Sequence, residues 1–342
     1  MGEACLALEH DLRPSPMSRT DTSSKMNLKA HIDPGGGPRE AMKVFVSYSH
    51  AQSEWVWKRL EPCLRAGGAD VLIDERRFVA GPKVIGQMDA TQDQADRHIL
   101  VLSKQYFDSP YCRHEMDRAI AQDPRFEQQL VLLVRRDDAS LPDEIEVHNP
   151  LYVDLRNDTP DQPWALLLSA CGVELGAPVP DWLRARDNVV RLLERDISVN
   201  LVVTGAVKWD PIIDDLVRMP SLKLANVDLL DPGTVSRRGL IRKILNALGV
   251  NTPIPHPPED LPEFARVIEN IGKSRLVLRH FDMVLNRPDY GVDLFAAIRF
   301  FVMDKQQLVL LAQSRTPFSA LLPRDNPISK IHVETVELHA RP

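Results

Sequence analysis

Lys43-Val44-Phe45-Val46-Ser47-Tyr48-Ser49 is a short apolar run that ends in small hydroxyls. Its length and β-branched content predict a buried strand. Downstream, Trp55, Leu60 and Leu64 share one side of a predicted helix from Glu54 to Ala66. Asp70-Val71-Leu72-Ile73-Asp74 is a second apolar run, and a polar loop with Gly81-Pro82 leads to a predicted helix around Val84 to Gln94. His98-Ile99-Leu100-Val101-Leu102-Ser103 reads as a third strand, Leu130 to Val134 as a fourth, and Leu151-Tyr152-Val153 as a fifth. Strands alternating with helical patterns of about a dozen residues indicate βαβ units and a parallel sheet. Ligands of such sheets bind at the carboxyl ends of the strands. Ser47, Ser49, Asp74, Ser103 and Glu115 all fall just after a strand or at the following helix start.

Ser109-Pro110-Tyr111-Cys112-Arg113-His114-Glu115 places one carboxylate where a helix should be apolar. Ser109 suits the N-cap and Pro110 the first helical position. Cys112, Met116, Ala119 and Ile120 recur at helical spacing, and Glu115 lies on or beside their stripe. A carboxylate there needs a partner, a raised pKa or a cleft. On residue type and position alone it reads first as a structural helix-start acid favoured by the macrodipole, and only the family motif below turns the reading toward catalysis. Ser47, Ser49 and Ser103 read as strand-end turn formers or as ligands. Asp74 closes a turn or meets a nucleotide. Cys112 reads as a small buried apolar residue, and Trp55 and Trp57 as packing residues.

Val44-Phe45-Val46-Ser47-Tyr48-Ser49-His50 resembles the first box of a Toll/interleukin-1 receptor (TIR) domain. Val71-Leu72-Ile73-Asp74 and Gly81-Pro82 resemble its second strand and the long loop after it. Leu102-Ser103-Lys104-Gln105-Tyr106-Phe107, with Ser109 to Glu115, resembles its "S-x-x-Y … S-x-W-C-x-x-E" segment. The resemblance runs from about Met42 to Glu174, in family order. It departs at Tyr111, which replaces the usual Trp, and at Ala51-Gln52-Ser53, where an acidic residue often stands. It implies a flavodoxin-like α/β fold of bacterial TIR type, a five-stranded parallel sheet with helices on both faces. In TIR domains that cleave NAD+, the glutamate of the last motif is the essential acid, which maps onto Glu115. Ser47, Ser49, Asp74, Ser103 and Tyr111 are then the substrate-binding candidates. NAD+ is the substrate, and neither a metal nor a further cofactor is implied. A carboxylate beside the ribose suits an oxocarbenium-like transition state, because nicotinamide is already a cationic leaving group.

The chain has 342 residues and a formal net charge of -6, which gives no global basic field for nucleic acid. Its four cysteines, Cys5, Cys63, Cys112 and Cys171, lack metal or disulfide spacing and fit a reducing compartment. No apolar run reaches the length of a membrane span. These features fit a cytoplasmic protein. Residues 1–41 are polar, contain Asp33-Pro34-Gly35-Gly36-Gly37-Pro38, and read as a disordered segment rather than a signal peptide. The TIR domain is expected over 42–175, a linker over 176–184 and a second α/β domain over 185–342.

In that second half, Asp181 to Arg195 should be helical, and Ile197 to Gly205 is an apolar strand ending in glycine, as a phosphate loop begins. The loop should continue G-x-x-x-x-G-K-[ST]. Gly205-Ala206-Val207-Lys208-Trp209-Asp210-Pro211-Ile212 stands there instead. A carboxylate at Asp210 repels phosphate, and Pro211 removes an amide donor. Arg275-Leu276-Val277-Leu278-Arg279-His280-Phe281-Asp282 resembles the Walker B strand of AAA or STAND-type ATPases, with Arg279 and His280 at the acidic pair. Leu308 to Arg315 resembles the next strand. This half thus resembles a degenerate P-loop ATPase fold, which implies regulation or oligomerisation rather than ATP turnover. Arg237, Arg238, Arg242 and Lys243 form a local basic face, which reads as solvated.

Two functions are implied. One is a TIR NAD+ glycohydrolase that self-associates through its TIR domains, with the loop Glu75 to Lys83 completing a neighbour's site. An unidentified partner or trigger would act on the C-terminal half, in signalling or antiphage-type defence. The alternative is a non-catalytic TIR adaptor that binds other proteins.

Overall fold

The strand 43–48 carries four consecutive buried side chains, Val44 to Ser47, so both of its faces are covered. That is the mark of a parallel strand between helical layers. A computed structural model describes residues 40–73 and 89–341 and places this strand, β1 (Lys43–Tyr48), beside two neighbours. One is β2 (Asp70–Leu72) and the other β3 (Arg97–Leu102), both parallel to it. β4 (Val131–Arg135) and β5 (Tyr152–Asp154) complete a five-stranded sheet in the order β2-β1-β3-β4-β5. This is the flavodoxin-like order, whose switch point lies between β1 and β3. All five expected strands are present, within two residues of their expected ends. Asp74, the loop Glu75 to Lys83 and residues 84–88 of the helix expected at 84–94 lie outside the described residues, as does almost all of segment 1–41; residues 89–92 are helical.

The helix expected at 54–66 is one helical run over 53–66, with a wider turn at Val56–Leu60 ahead of Pro62. Proline lacks the N–H that would bond back into that turn. Val56, Leu60, Cys63 and Leu64 are fully buried against the sheet.

A second sheet follows. Its strands are β6 (Val199–Thr204), β7 (Leu224–Asp228), β8 (Ser274–Arg279), β9 (Leu308–Ser314) and β10 (Glu334–His339). Their order is β10-β6-β9-β8-β7, and every pairing is parallel. β9 is buried at all seven positions, as the central strand of a covered sheet must be. β7 and β10 form the edges, and β10 alternates exposed with buried. Their polar alternate residues give a far weaker apolar signal than the runs of β6, β8 and β9.

The expected linker 176–184 is corrected. A helix, Val179–Glu194, starts inside it, and Ala177, Val179 and Trp182 are fully buried. Gly176-Ala177-Pro178 has linker composition, but Pro178 and Pro180 here lead into a helix, where missing N–H groups cost nothing. One hydrophobic core runs from Val46 and Leu64 through Trp164 and Leu168 to Trp182, Leu193 and Leu201. Residues from Ala41 onward accordingly form one compact unit.

The loop after β6 makes the closest connection. The Lys208 amide donates to the Leu175 carbonyl at 2.9 Å, its Nζ to the Gly67 carbonyl at 3.3 Å, and its own carbonyl accepts the Trp182 indole N–H at 3.0 Å. Gly176 has φ +74°, and a Cβ there would lie 2.1 Å from the Ala206 carbonyl oxygen. Only glycine fits this approach. Arg59–Asp187 (2.9 Å) and Arg341–Asp161 (3.1 Å) flank the junction.

Candidate active site

Ser109 caps the helix Pro110–Gln122, its Oγ accepting the Cys112 amide at 3.3 Å, with Pro110 at the first turn. The residues this helix buries are Cys112, Glu115, Met116 and Ala119. Glu115 therefore faces inward, at the carboxyl end of β1, and is 5% exposed. Ser47 Oγ donates to Glu115 Oε2 at 2.5 Å. The phenol of Tyr106 lies 2.8 Å from Ser47 Oγ. Ser47 has one proton and gives it to the carboxylate, so the phenol donates to Ser47. The chain of donors runs Tyr106 to Ser47 to Glu115.

Tyr106 comes from the short helix Lys104–Asp108, whose N-cap is Ser103; Ser103 Oγ accepts the Tyr106 amide at 3.2 Å. Burial raises the Tyr106 phenol well above its ordinary pKa; the Ser47 hydrogen bond opposes this and the Glu115 charge adds to it. The group stays a proton donor across the physiological range. Ser49 Oγ approaches Ser103 Oγ at 3.5 Å, and both are buried. Cys112 is buried as expected, and its thiol donates to the Tyr48 carbonyl at 3.5 Å.

The candidates thus divide. Ser47 and Glu115 are bonded to each other. Ser49 and Ser103 form a neighbouring pair behind the strand ends. Tyr111 stands apart on the outer face of its helix, 58% exposed. Asp74 lies outside the described residues. Two contributors escaped the sequence reading. One is Tyr106, visible there only as part of a motif. The other is Gln92, 1% exposed, whose Nε2 donates to the Glu115 carbonyl at 2.8 Å. Its one signal is a polar residue in a segment already expected to be helical. Trp55 packs as expected, stacked on Trp164 at 5.7 Å with the Arg136 guanidinium 4.2 Å above it.

At the carboxyl ends of the second sheet, Asp210 opens the helix Asp210–Arg218, at the position where a phosphate loop would carry Gly-Lys. Arg279, at the end of β8, is buried and pairs with Asp210 at 3.2 Å and with Asp214, and donates to Asn226 at 3.1 Å. Two of the residues that contradict a nucleotide site in sequence, Asp210 and Arg279, are bonded to each other. His280 takes a left-handed backbone (φ 51°), its ring against Asp228 at 2.8 Å and its amide on Gln313 at 2.9 Å. The basic face at 237–243 is largely spent within the fold: Arg237 pairs with Asp260, Lys243 with Asp231, and Arg238 donates to the Ile254 carbonyl. Among the described residues, no group of three or more acidic, His or Cys side chains is placed to hold a metal, and no helix is long and apolar enough to cross a membrane.

Residues 44–168 match the family of the TIR domain. This part of the chain is a TIR domain. Toll-like receptor 1 of Homo sapiens is 32% identical over 72 residues, which is 21% of this chain and 9% of the receptor. The chain therefore spans under a tenth of that relative's length. Among solved structures, the TIR domain of the Toll-related receptor TRR-2 from Hydra magnipapillata aligns at 17% identity and TM-score 0.33, over 37% of this chain and 96% of that one. The Walker-type ATPase PabY2304 of Pyrococcus abyssi aligns at 10% identity and TM-score 0.31, over 46% and 52%. Neither structural likeness bears on function.

Proposed function

We propose that the TIR domain cleaves the nicotinamide–ribose bond of NAD+, with Glu115 as the catalytic carboxylate. The observation that carries this reading is a nearly buried glutamate at the ligand-binding end of a parallel sheet, oriented by a serine from β1. The electron pair of the C–N bond leaves with nicotinamide, which departs neutral, and the ribose becomes oxocarbenium-like. The Glu115 carboxylate stabilises that charge and holds the ribose hydroxyls. Water, or a hydroxyl of the same molecule, then adds to the sugar carbon and loses its proton. Tyr111, exposed on the outer face of its helix, is proposed to offer an aromatic face to a base. Activation by TIR self-association, a cytoplasmic setting and a role in signalling or defence by NAD+ depletion belong to the same reading. So does a trigger or partner acting on the C-terminal half.

The test is nicotinamide release from NAD+ by the full chain and by Glu115→Gln, with and without a crowding agent. Release that falls at least a hundredfold in the variant is expected. No release from a demonstrably assembled wild-type chain would sink the proposal. The second reading, a non-catalytic adaptor, draws support from the engagement of the Glu115 carboxylate by Ser47. An assembled but inactive chain would favour it.

A further inference from the structure

We infer that Tyr106 is a positioning residue, setting the Glu115 carboxylate through Ser47 without touching substrate. This deepens the NAD+-cleavage reading and, as a statement about its chemistry, rests on it.

With Glu115 ionised, as the cleavage reading requires, the protons have one assignment. A carboxylate only accepts; Ser47, 2.5 Å from it, donates; a serine that has given its one proton can only receive from the phenol 2.8 Å away. Each donor polarises the next, so the bond that reaches the carboxylate is stronger than an isolated one. Both ends of the relay are fixed. Tyr106 is fully buried, its amide tied to Ser103 and its ring edge-on to Phe107 at 5.7 Å. The main chain at Glu115 is held by Gln92. The turn that carries Gln92 is fastened along the outside of the same helix by Asp89 to His114 at 2.9 Å and Asp93 to Arg118 at 2.6 Å. Backbone and carboxylate are thus anchored from different elements, and substrate binding need not order them. Tyr106 has no surface of its own to offer a substrate. Its loss should change the rate of the chemical step and leave affinity alone.

Titration of Glu115 reads the relay directly, since donors to a carboxylate favour its charged form. Among the described residues, the other titratable groups of the elements around it are Tyr111, Cys112, Arg113, His114, Asp117 and Arg118 on its own helix, Lys43 and Tyr48 on β1, Arg97 and His98 on β3, Lys104 and Asp108 beside Tyr106, and Asp89 and Asp93 on the Gln92 turn, and all are kept in the variants below.

The experiment uses the full chain as wild type, Ser47→Ala and Tyr106→Phe, with Glu115→Gln as the reference. Steady-state NAD+ cleavage is measured under assembling conditions. In parallel, 13C NMR of carboxyl-labelled glutamate follows the Glu115 resonance, assigned by its loss in Glu115→Gln. Ser47→Ala should lower kcat about tenfold or more, the loss of one hydrogen bond to a charged group. Tyr106→Phe should lower it severalfold, with KM within about twofold of wild type in both. The Glu115 resonance should titrate at higher pH in Ser47→Ala, with Tyr106→Phe between it and wild type. A raised KM at constant kcat would place Tyr106 in substrate binding and overturn the inference. So would a Glu115 titration unmoved in both variants. If wild type releases no nicotinamide, the proposed activity alone fails, and the graded titration still decides whether the relay exists.

Discussion

Trp182→Ala tests whether the two halves of the chain stand or fall together. Trp182 is fully buried on the helix Val179–Glu194, inside the core that joins both sheets, and its indole N–H supplies the Lys208 carbonyl. Truncating a buried tryptophan to alanine costs about 3–5 kcal/mol through lost burial and the cavity left behind. The stranded Lys208 carbonyl adds about 1 kcal/mol. The sum, about 4–6 kcal/mol, is a large fraction of the stability of an ordinary domain. The assay is urea unfolding followed by circular dichroism, with hydrogen exchange read separately on the amides of β3 and β9. A shared core predicts a single transition and a parallel loss of protection in both strands. Two transitions, with β9 weakened and β3 untouched, would refute the claim of one folding unit. So would a total loss under about 1.5 kcal/mol, since no buried tryptophan in a tight core is that cheap. The result bears on mechanism, because a TIR domain built into a common core is not released by a swing about a linker.

Gly176→Ala should destabilise the chain by more than about 1 kcal/mol, since the left-handed backbone and the 2.1 Å approach to the Ala206 carbonyl both oppose a side chain; a thermal midpoint equal to wild type would contradict this. The Asp154 carboxyl is held at about 2, below its ordinary 3.8, chiefly by hydrogen bonds from Arg156. Its folded pKa is depressed, so its contribution is complete above the unfolded pKa and is lost as pH falls from about 4 through 2. Asp154 is 41% exposed, and screening keeps the contribution under about 1 kcal/mol. Asp154→Asn should therefore flatten the stability profile slightly between pH 4 and 2 and nowhere else, as measured by denaturant midpoints across that window.

The first sheet was readable because its strands are continuous apolar runs. Val44 to Val46 and Ile99 to Leu102 are buried on both faces, so their sequences carry no polar interruption. The start of the Glu115 helix was equally legible, since an N-cap serine and an N1 proline act within one turn. β7 and β10 escaped notice for the opposite reason: edge strands keep polar residues on their open face, and Leu224–Asp228 and Glu334–His339 look like loops. The linker reading failed because glycine and proline mark both a flexible join and a tight one. What separates the two is the Ala206 carbonyl against Gly176, which no local pattern contains.

By itself the sequence determined the alternation of strand and helix, the TIR motifs in order, and the place of Glu115 on or beside the apolar stripe of its helix. These are local properties, written in periods of two and 3.6 residues. It also showed that Asp210 and Arg279 stand where phosphate and magnesium chemistry would need other residues. Tertiary structure alone decided who meets whom. Ser47 reaches Glu115 across 68 residues, Tyr106 reaches Ser47 across 59, and Arg279 reaches Asp214 across 65. Such pairs depend on strand order and on how helices pack over the sheet, which bring distant segments to the same strand ends. The loop after β6 is the plainest case. Its sequence shows only that it lacks a phosphate loop's residues, whereas the fold shows that the Lys208 amide and amine reach the Leu175 and Gly67 carbonyls and that its own carbonyl accepts the Trp182 indole N–H.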